Sequence, residues 1–238
     1  MRKILLYPHG GSGNHGCEAI VRSTMLLLRP EKGSLVSSAC GQDVRCGLDR
    51  LVRVLPERRP IRRLSPAWAA AWMRLHVLGV KDAFDRIAFG GIVKEAGDAD
   101  LALCGGGDNY CYGEPVHIYL QNELLRKAGV PVVLWGCSLE REDMKGRMLE
   151  DLGAFDLIVA RESLTYDALR ECGLSRVVLY PDPAFALPAN EVEVPEGWKE
   201  GNMAGINVSP MVIGHEARPG AVMENYSRLV EWLSLIHI

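Results

Sequence analysis

No apolar run in this chain is long enough to cross a bilayer. The longest, Trp68 to Val80, is interrupted by Arg74 and His76, whereas a spanning helix needs about 20 such residues. The N-terminus lacks the apolar stretch of a signal peptide. The seven cysteines contain no C-x-x-C pair. Their odd number fits buried reduced thiols and a reducing compartment, so a cytoplasmic location is expected. No spacing of His, Cys and Asp suggests a metal site, and no internal repeat is visible. Excess positive charge is also missing: a net charge of -3 argues against general nucleic-acid binding. The one basic run, Arg53, Arg58, Arg59, Arg62 and Arg63, is either a solvated loop or a patch that attracts an anionic substrate.

What is present is a chain of 238 residues with 48% hydrophobic and 24% charged residues, enough for a packed core in one large domain or one and a half. Short apolar segments without strict alternation occur at Lys3–Tyr7, Ser34–Ala39, Leu101–Cys104, Val130–Trp135, Leu157–Ala160, Val177–Tyr180 and Gly205–Val208. They read as strands buried on both faces of a parallel sheet. Helix patterns fall between them. These are Cys17–Leu28, one or two helices in Pro66–Lys94 with a break near Gly79 or Gly90-Gly91, Pro115–Ala128, Glu142–Leu152, Glu162–Cys172 and about Gly220 to Leu233. The alternation predicts a doubly wound, Rossmann-like α/β domain over residues 1–187.

The segment around 188–203 mixes Pro188, Pro195, Gly197 and Gly201 with Glu191, Glu193, Glu196 and Glu200, a linker composition. Residues 204–238 supply one strand and one helix, too little for a domain, and are expected to be the start of a truncated second α/β domain. The closing Leu233-Ser234-Leu235-Ile236-His237-Ile238 is unlike a natural terminus and reads as a candidate non-native end. Apolar residues there (Ile206, Val208, Val222, Leu229, Trp232) are expected to lack partners and to promote self-association or local disorder past residue 203.

Ligands of open α/β sheets sit beyond the carboxyl ends of the strands. The first such loop is His9-Gly10-Gly11-Ser12-Gly13-Asn14-His15-Gly16, whose glycines allow close backbone approach and whose following helix N-terminus suits an anion. It matches G-x-G-x-x-G literally. The second strand ends in Cys40-Gly41 and not in the acid that a dinucleotide site wants, so that motif is weak. The later loops carry Gly105-Gly106-Gly107-Asp108-Asn109, Gly136-Cys137-Ser138, Arg161-Glu162-Ser163 and Pro181-Asp182-Pro183. Arg161 stands out, because a cation beside a helix N-terminus opposes the dipole and calls for an anionic partner. That partner is either Glu162 or a bound carboxylate or phosphate. Asp182, held between prolines, either braces the end of the domain or meets a ligand. His15 fits a loop hydrogen-bonder better than a base.

Five ordered blocks carry a resemblance. They are Gly13-Asn14-x-Gly16-x-Glu18-Ala19-Ile20, Gly105-Gly106-Gly107-Asp108, Ala160-Arg161-Glu162-Ser163, Asp182-Pro183-Ala184-Phe185 and Gly205-Ile206-Asn207-Val208-Ser209-Pro210. In order and spacing they resemble the polysaccharide pyruvyl transferase family, although Cys17 stands where that family often has Asp. The resemblance implies a two-domain fold like that of GT-B glycosyltransferases. It implies transfer of a pyruvyl group from phosphoenolpyruvate to two hydroxyls of a cell-surface sugar, forming a ketal, with no cofactor. It makes Arg161 the donor-binding arginine. Asn14, Gly13, Gly16, Gly106, Gly107, Asp108, Ser138 and Ser163 complete the expected substrate site. The family's general acid is a histidine in an Arg-x-His motif of the second domain. Arg74-Leu75-His76 falls far too early, and His215 and His237 lack the arginine. The acid is therefore expected beyond residue 238, and the 238-residue chain is expected to turn over little or no substrate. A GT-B-like glycosyltransferase using a nucleotide sugar, or a non-catalytic domain for an anionic metabolite, are the alternatives.

Overall fold

A computed structural model of the chain describes residues 3–111, 113–189, 193–199, 201 and 203–235. The chain divides into two units, Met1–Ala189 and Asn190–Ile238.

The first unit is built on seven parallel strands: β1 (Lys3–His9), β2 (Lys32–Ser37), β3 (Arg53–Pro56), β4 (Leu101–Gly107), β5 (Val132–Cys137), β6 (Leu157–Ala160) and β7 (Val177–Leu179). They lie in the order β3-β2-β1-β4-β5-β6-β7, every neighbouring pair parallel. The helices are α1 (His15–Leu28), α2 (Cys40–Arg45), α3 (Pro66–His76), α4 (Ala83–Ala88), α5 (Gly90–Ala96), α6 (Val116–Lys127), α7 (Gly146–Gly153) and α8 (Ser163–Glu171). This is the doubly wound parallel sheet that the alternating pattern predicts. Strand order reverses between β1 and β4, which places a crevice at their carboxyl ends.

Both faces of the sheet are apolar because successive side chains point to opposite sides. Ile4 and Leu6 of β1, Leu103 of β4 and Val133 of β5 join Val21 of α1 in one core. Leu5, Tyr7, Ala102, Cys104, Val132 and Leu134 join Leu120 and Leu125 of α6 and Met148 and Leu152 of α7 in the other. Removing one such Leu or Val side chain from water contributes about 1.5–3 kcal/mol. A buried polar network runs through the second core. The Tyr7 hydroxyl donates to Asn122 Oδ1 at 2.8 Å, and Asn122 Nδ2 donates to the Tyr110 oxygen at 2.8 Å and to Asp151 Oδ2 at 2.6 Å. Tyr110 donates to the same Asp151 oxygen, and Arg126 pairs with the other at 2.9 Å. This network pins Tyr110, and with it the chain just after β4.

Several expectations are corrected. The basic run from Arg53 begins as a strand: Arg53–Pro56 pairs with Ser34–Ser37 at the sheet edge. A four-residue edge strand with a cation at one end and proline at the other has too little periodicity to be seen in the sequence. Cys40–Arg45 is a helix that the glycine at 41 concealed. Pro66–Lys94 yields three helices, with Gly79 at φ 68° between the first two. Glu142–Leu152 begins as a 3-10 turn, Arg141–Asp143, before α7.

In the second unit, Gly205–Val208 is not a strand. A strand needs a paired neighbour for its backbone groups, and the unit's described residues contain only the helices α9 (Pro210–Gly214) and α10 (Ala221–Leu235). Ile206, Val208, Leu229 and Trp232 are exposed there, and Val222 is half-buried. His237 lies outside the described residues. No described helix is long and apolar enough to cross a membrane.

Candidate functional site

The carboxyl rim of the sheet carries two distinct clusters. The first is the glycine loop after β1. Two of its glycines, Gly11 and Gly13, are crowded, and the crowding comes from the protein's own side chains, whereas Gly10 faces open space. A Cβ on Gly11, whose φ is +109°, would lie 2.5 Å from Ala39 Cβ and from Gln42 Oε1. One on Gly13 would lie 2.7 Å from the same oxygen. The room goes to α2, which donates acceptors to the loop. Gln42 Oε1 accepts from the Gly13 amide at 2.9 Å, and Asp43 Oδ1 accepts from the Ser12 amide at 2.9 Å. The same Asp43 oxygen accepts from the Ser12 hydroxyl at 2.7 Å and meets His9 Nε2 at 2.9 Å. Asn14 caps α1 by accepting from the Gly16 amide at 2.9 Å.

Asp43 is fully buried. Burial raises its pKa, but the hydroxyls of Ser37 and Ser12 and the ring of His9 outweigh that, so the carboxyl is held below its ordinary value. The loop therefore contains its own buried anion, and its Ser12 and Gly13 amides are engaged. His15 pairs with Glu18 at 3.0 Å, in line with a hydrogen-bonding role. Nothing in the sequence marks Gln42 and Asp43 for this position, because the helix that presents them was not legible.

The second cluster gathers residues from four strand ends around Arg161. Its Nε donates to Ser138 Oγ at 2.7 Å, one terminal nitrogen to Asp182 Oδ2 at 2.9 Å and the other to Asp108 Oδ1 at 2.7 Å. Burial lowers the guanidinium pKa, and the two carboxylates more than offset it, so the group is held above its ordinary value. Asp182 is fixed twice, because its Oδ1 also caps the turn Pro183–Ala186 through the Ala184 amide at 2.9 Å. Gly136 makes this possible. It has φ +69° at an irregularity in the β5–β6 pairing, and a Cβ there would lie 2.7 Å from Pro183 Cδ. Asp108 is the more exposed of the two acids, at 48% against 19% for Asp182.

Glu162 is not the partner of Arg161. Its carboxylate caps α8, accepting from the Thr165 amide at 3.0 and 3.1 Å, so the helix begins at Ser163 and Arg161 lies outside it. Arg161 still stands immediately before the N-cap, and the anionic partners its position calls for are Asp108 and Asp182. Asp182 braces the cluster and meets the guanidinium at once.

Among the expected substrate residues, Arg161, Asp108 and Ser138 touch. Gly106 and Gly107 close β4 and lead into Asp108, and the Gly107 carbonyl accepts from the Ser138 amide at 3.1 Å. Ser163 is exposed on the wall of a shallow hollow of about 640 Å³, which Arg161, Glu162, Leu179, Pro181, Asp182 and Phe185 also line. Gly13, Asn14 and Gly16 belong to the other cluster, committed to the contacts given above.

The cysteines near the rim are poor nucleophiles. Burial pushes Cys137 up to about 12. Burial and then the Asp108 charge also raise Cys111 and Cys17. The reactive form of a thiol is the thiolate, so these three stay protonated at neutral pH. All seven cysteines are free thiols. Among the described residues no group of three His, Cys, Asp or Glu is arranged to hold a metal ion.

Fold and rim together define a doubly wound α/β unit with an arginine-centred polar cluster at its ligand edge. A sequence model of the polysaccharide pyruvyl transferase family matches residues 14–231, and the chain belongs to that family. No curated protein matches it. Among solved structures it is similar to MurG of Acinetobacter baumannii, with 12% identity and a TM-score of 0.44 over 82% of this chain and 48% of that one. It is also similar to Anabaena Alr3699/HepE, solved with UDP and glucose, with 13% identity and a TM-score of 0.49 over 76% and 44%. The chain spans less than half the length of these structures.

Proposed function

We propose that this chain carries the donor side of a pyruvyl transferase, which moves a pyruvyl group from phosphoenolpyruvate to a saccharide of the cell envelope. The observation that carries the reading is Arg161. It is a half-buried guanidinium oriented by Ser138 and Asp182, with an exposed carboxylate, Asp108, accepting from its outward side. A substrate carboxylate or phosphate that displaces Asp108 meets a charge already aimed, so little reorganisation is needed at binding. Ser163 and Ser138 supply hydroxyls beside it.

The reaction fits such a site. Protonation of the enol CH2 carbon creates an oxocarbenium centre at the adjacent carbon. One sugar hydroxyl adds there and loses its proton. The phosphate then departs with its C–O bonding pair, and the second hydroxyl adds to the oxocarbenium carbon left behind, its proton going to the departed phosphate, which closes the ketal. One diol and one phosphoenolpyruvate yield one ketal and one phosphate. The step needs a general acid. Of the four histidines of the first unit, His9 pairs with Asp43 and His15 with Glu18, while His76 and His117 lie beside Trp72 and Phe89, and none is among the residues gathered around Arg161. The proposal therefore assigns protonation to a histidine outside this unit.

Calorimetric titration of phosphoenolpyruvate tests this, on this chain and on a version extended through a second domain. Saturable binding by either version that disappears in Arg161→Ala supports the proposal. Binding that survives the substitution, or binding of a nucleotide sugar with none of phosphoenolpyruvate, overturns it.

A further inference from the structure

Residues 58–81 contain Arg58, Arg59, Arg62, Arg63, Arg74 and Lys81 and no Asp or Glu, in a chain of net charge -3. The fold packs parts of this segment against α4. The stretch after β3 runs beside α4: the Arg59 amide donates to the Ala88 carbonyl at 2.9 Å, and Arg58 pairs with Asp85. Ser65 then caps α3. The side of α3 bearing Trp68, Ala71 and Leu75, spaced i, i+3, i+7, is buried or half-buried. Trp68 there meets Phe84 of α4 edge-on, ring centres 6.4 Å apart.

The opposite side of α3 is the anomaly. Ala69, Trp72, Met73 and His76 also recur at i, i+3, i+4, i+7, and the stripe runs on into Val77 and Leu78. A solvent-facing helix stripe is ordinarily polar. Here Val77 and Leu78 are each 68% exposed, Met73 54% and Trp72 45%, with the His76 ring 4.6 Å from that of Trp72. At the other end, Leu64 is 81% exposed and has φ +64°, a backbone state that disfavours a γ-branched residue. That strain returns no burial within the fold. Arg62, Arg63, Arg74 and Lys81 flank the stripe, are exposed, and make no ion pair among the described residues. An apolar stripe bordered by unpaired cations matches a bilayer interface with anionic headgroups in both chemistry and charge.

We propose that this surface docks the protein onto an anionic lipid bilayer. The α3 helix lies in the interface plane, with Leu64, Trp72, Met73, Val77 and Leu78 entering the acyl boundary and the four free cations meeting lipid phosphates.

The test is co-sedimentation of the purified chain with phosphatidylcholine vesicles, with and without phosphatidylglycerol. Binding is expected only with the anionic lipid and is expected to weaken as salt rises. Each basic residue at such a surface changes partitioning on the order of five-fold, so Arg62→Gln with Arg63→Gln should lower it roughly 25-fold. Trp72→Ser with Met73→Ser should abolish it. Val77→Ser with Leu78→Ser, beyond the helix, should do the same, so that loss of binding cannot be laid to a damaged α3. Trp72 emission should shift to the blue on binding, a signal missing from Trp72→Phe. No sedimentation with anionic vesicles overturns the proposal. So does binding indifferent to these variants, or a dimer in ultracentrifugation that the apolar variants dissolve while vesicles are ignored.

Discussion

The two clusters on the sheet rim have the same raw materials and opposite arrangements. Each has a glycine, a buried or half-buried acid and a hydroxyl at a strand end. After β1 the acid, Asp43, faces inward and takes the Ser12 amide and hydroxyl of the glycine loop. Around Arg161 the acids hold a cation, and one of them, Asp108, stands toward solvent. In the first cluster the Ser12, Gly13 and Gly16 amides are taken by Asp43, Gln42 and Asn14. The second has a charge that a ligand can compete for. A glycine-rich turn at a helix start is therefore not by itself an anion site, because backbone amides go to whichever acceptor reaches them first.

Arg161→Ala breaks the comparison most sharply. If the second cluster binds the donor, affinity for phosphoenolpyruvate should fall by at least about 100-fold, near 3 kcal/mol, because charge-assisted bonds to the substrate are lost together. Titration calorimetry reads this directly. The substitution should leave the glycine loop unaffected, since none of the loop's bonds given above involves Arg161.

Asp43→Ala makes the converse cut. It strips an acceptor from Ser12 and leaves His9 buried without its partner, at a cost of about 2–3 kcal/mol in folding stability. Asp43→Asn isolates the charge. The folded carboxyl titrates below its ordinary value, so its stabilisation is present above roughly pH 4, the usual carboxylate value. It is lost as pH falls through the lower folded value. The difference in stability between wild type and Asp43→Asn, measured by denaturant melts, should shrink as pH drops below about 4. A difference that grows on acidification would show that Asp43 is not held as a carboxylate.

How much of this was legible in the sequence follows from the same contrast. Parallel strands buried on both faces announce themselves as short Val, Leu and Ile runs, and Leu157–Ala160 is found with those very ends. Arg161 could be nominated because it directly follows such a run, and Asp108 and Ser138 because they lie in the glycine-bearing loops after two others. Their mutual contacts could not be, since they depend on the bulge at Gly136 and on which oxygen of Asp182 is used for capping. The β3 strand and α2 are too short to carry a period, so Gln42 and Asp43 had no signal. Gly205–Val208 has the composition of a strand without a partner to pair with, and local propensity does not supply one.

Gly136→Ala sharpens the link between backbone and site. The new Cβ would meet Pro183 at 2.7 Å and would have to adopt positive φ, which together cost about 1–3 kcal/mol. Relief comes most directly by moving the Pro183 turn, which carries Asp182 away from Arg161. Donor affinity should therefore drop several-fold in calorimetry although no ligand-facing atom has changed. Unaltered affinity beside a lowered melting temperature would separate the bulge from the site.

The smallest effect is the most diagnostic for the glycine loop. Asn14→Ala removes the side chain that caps α1 and nothing else that is buried. A lost cap costs about 1 kcal/mol, visible as a small fall in melting temperature. If the loop is structural, the affinity for phosphoenolpyruvate is unchanged within error. If the loop moves to bind the donor, releasing its amides from Gln42 and Asn14, then Asn14→Ala frees the Gly16 amide at no cost to the ligand and binding changes in proportion. Stability and affinity measured on the same preparation thus decide whether the β1 loop is a brace for the sheet edge or a second arm of the site.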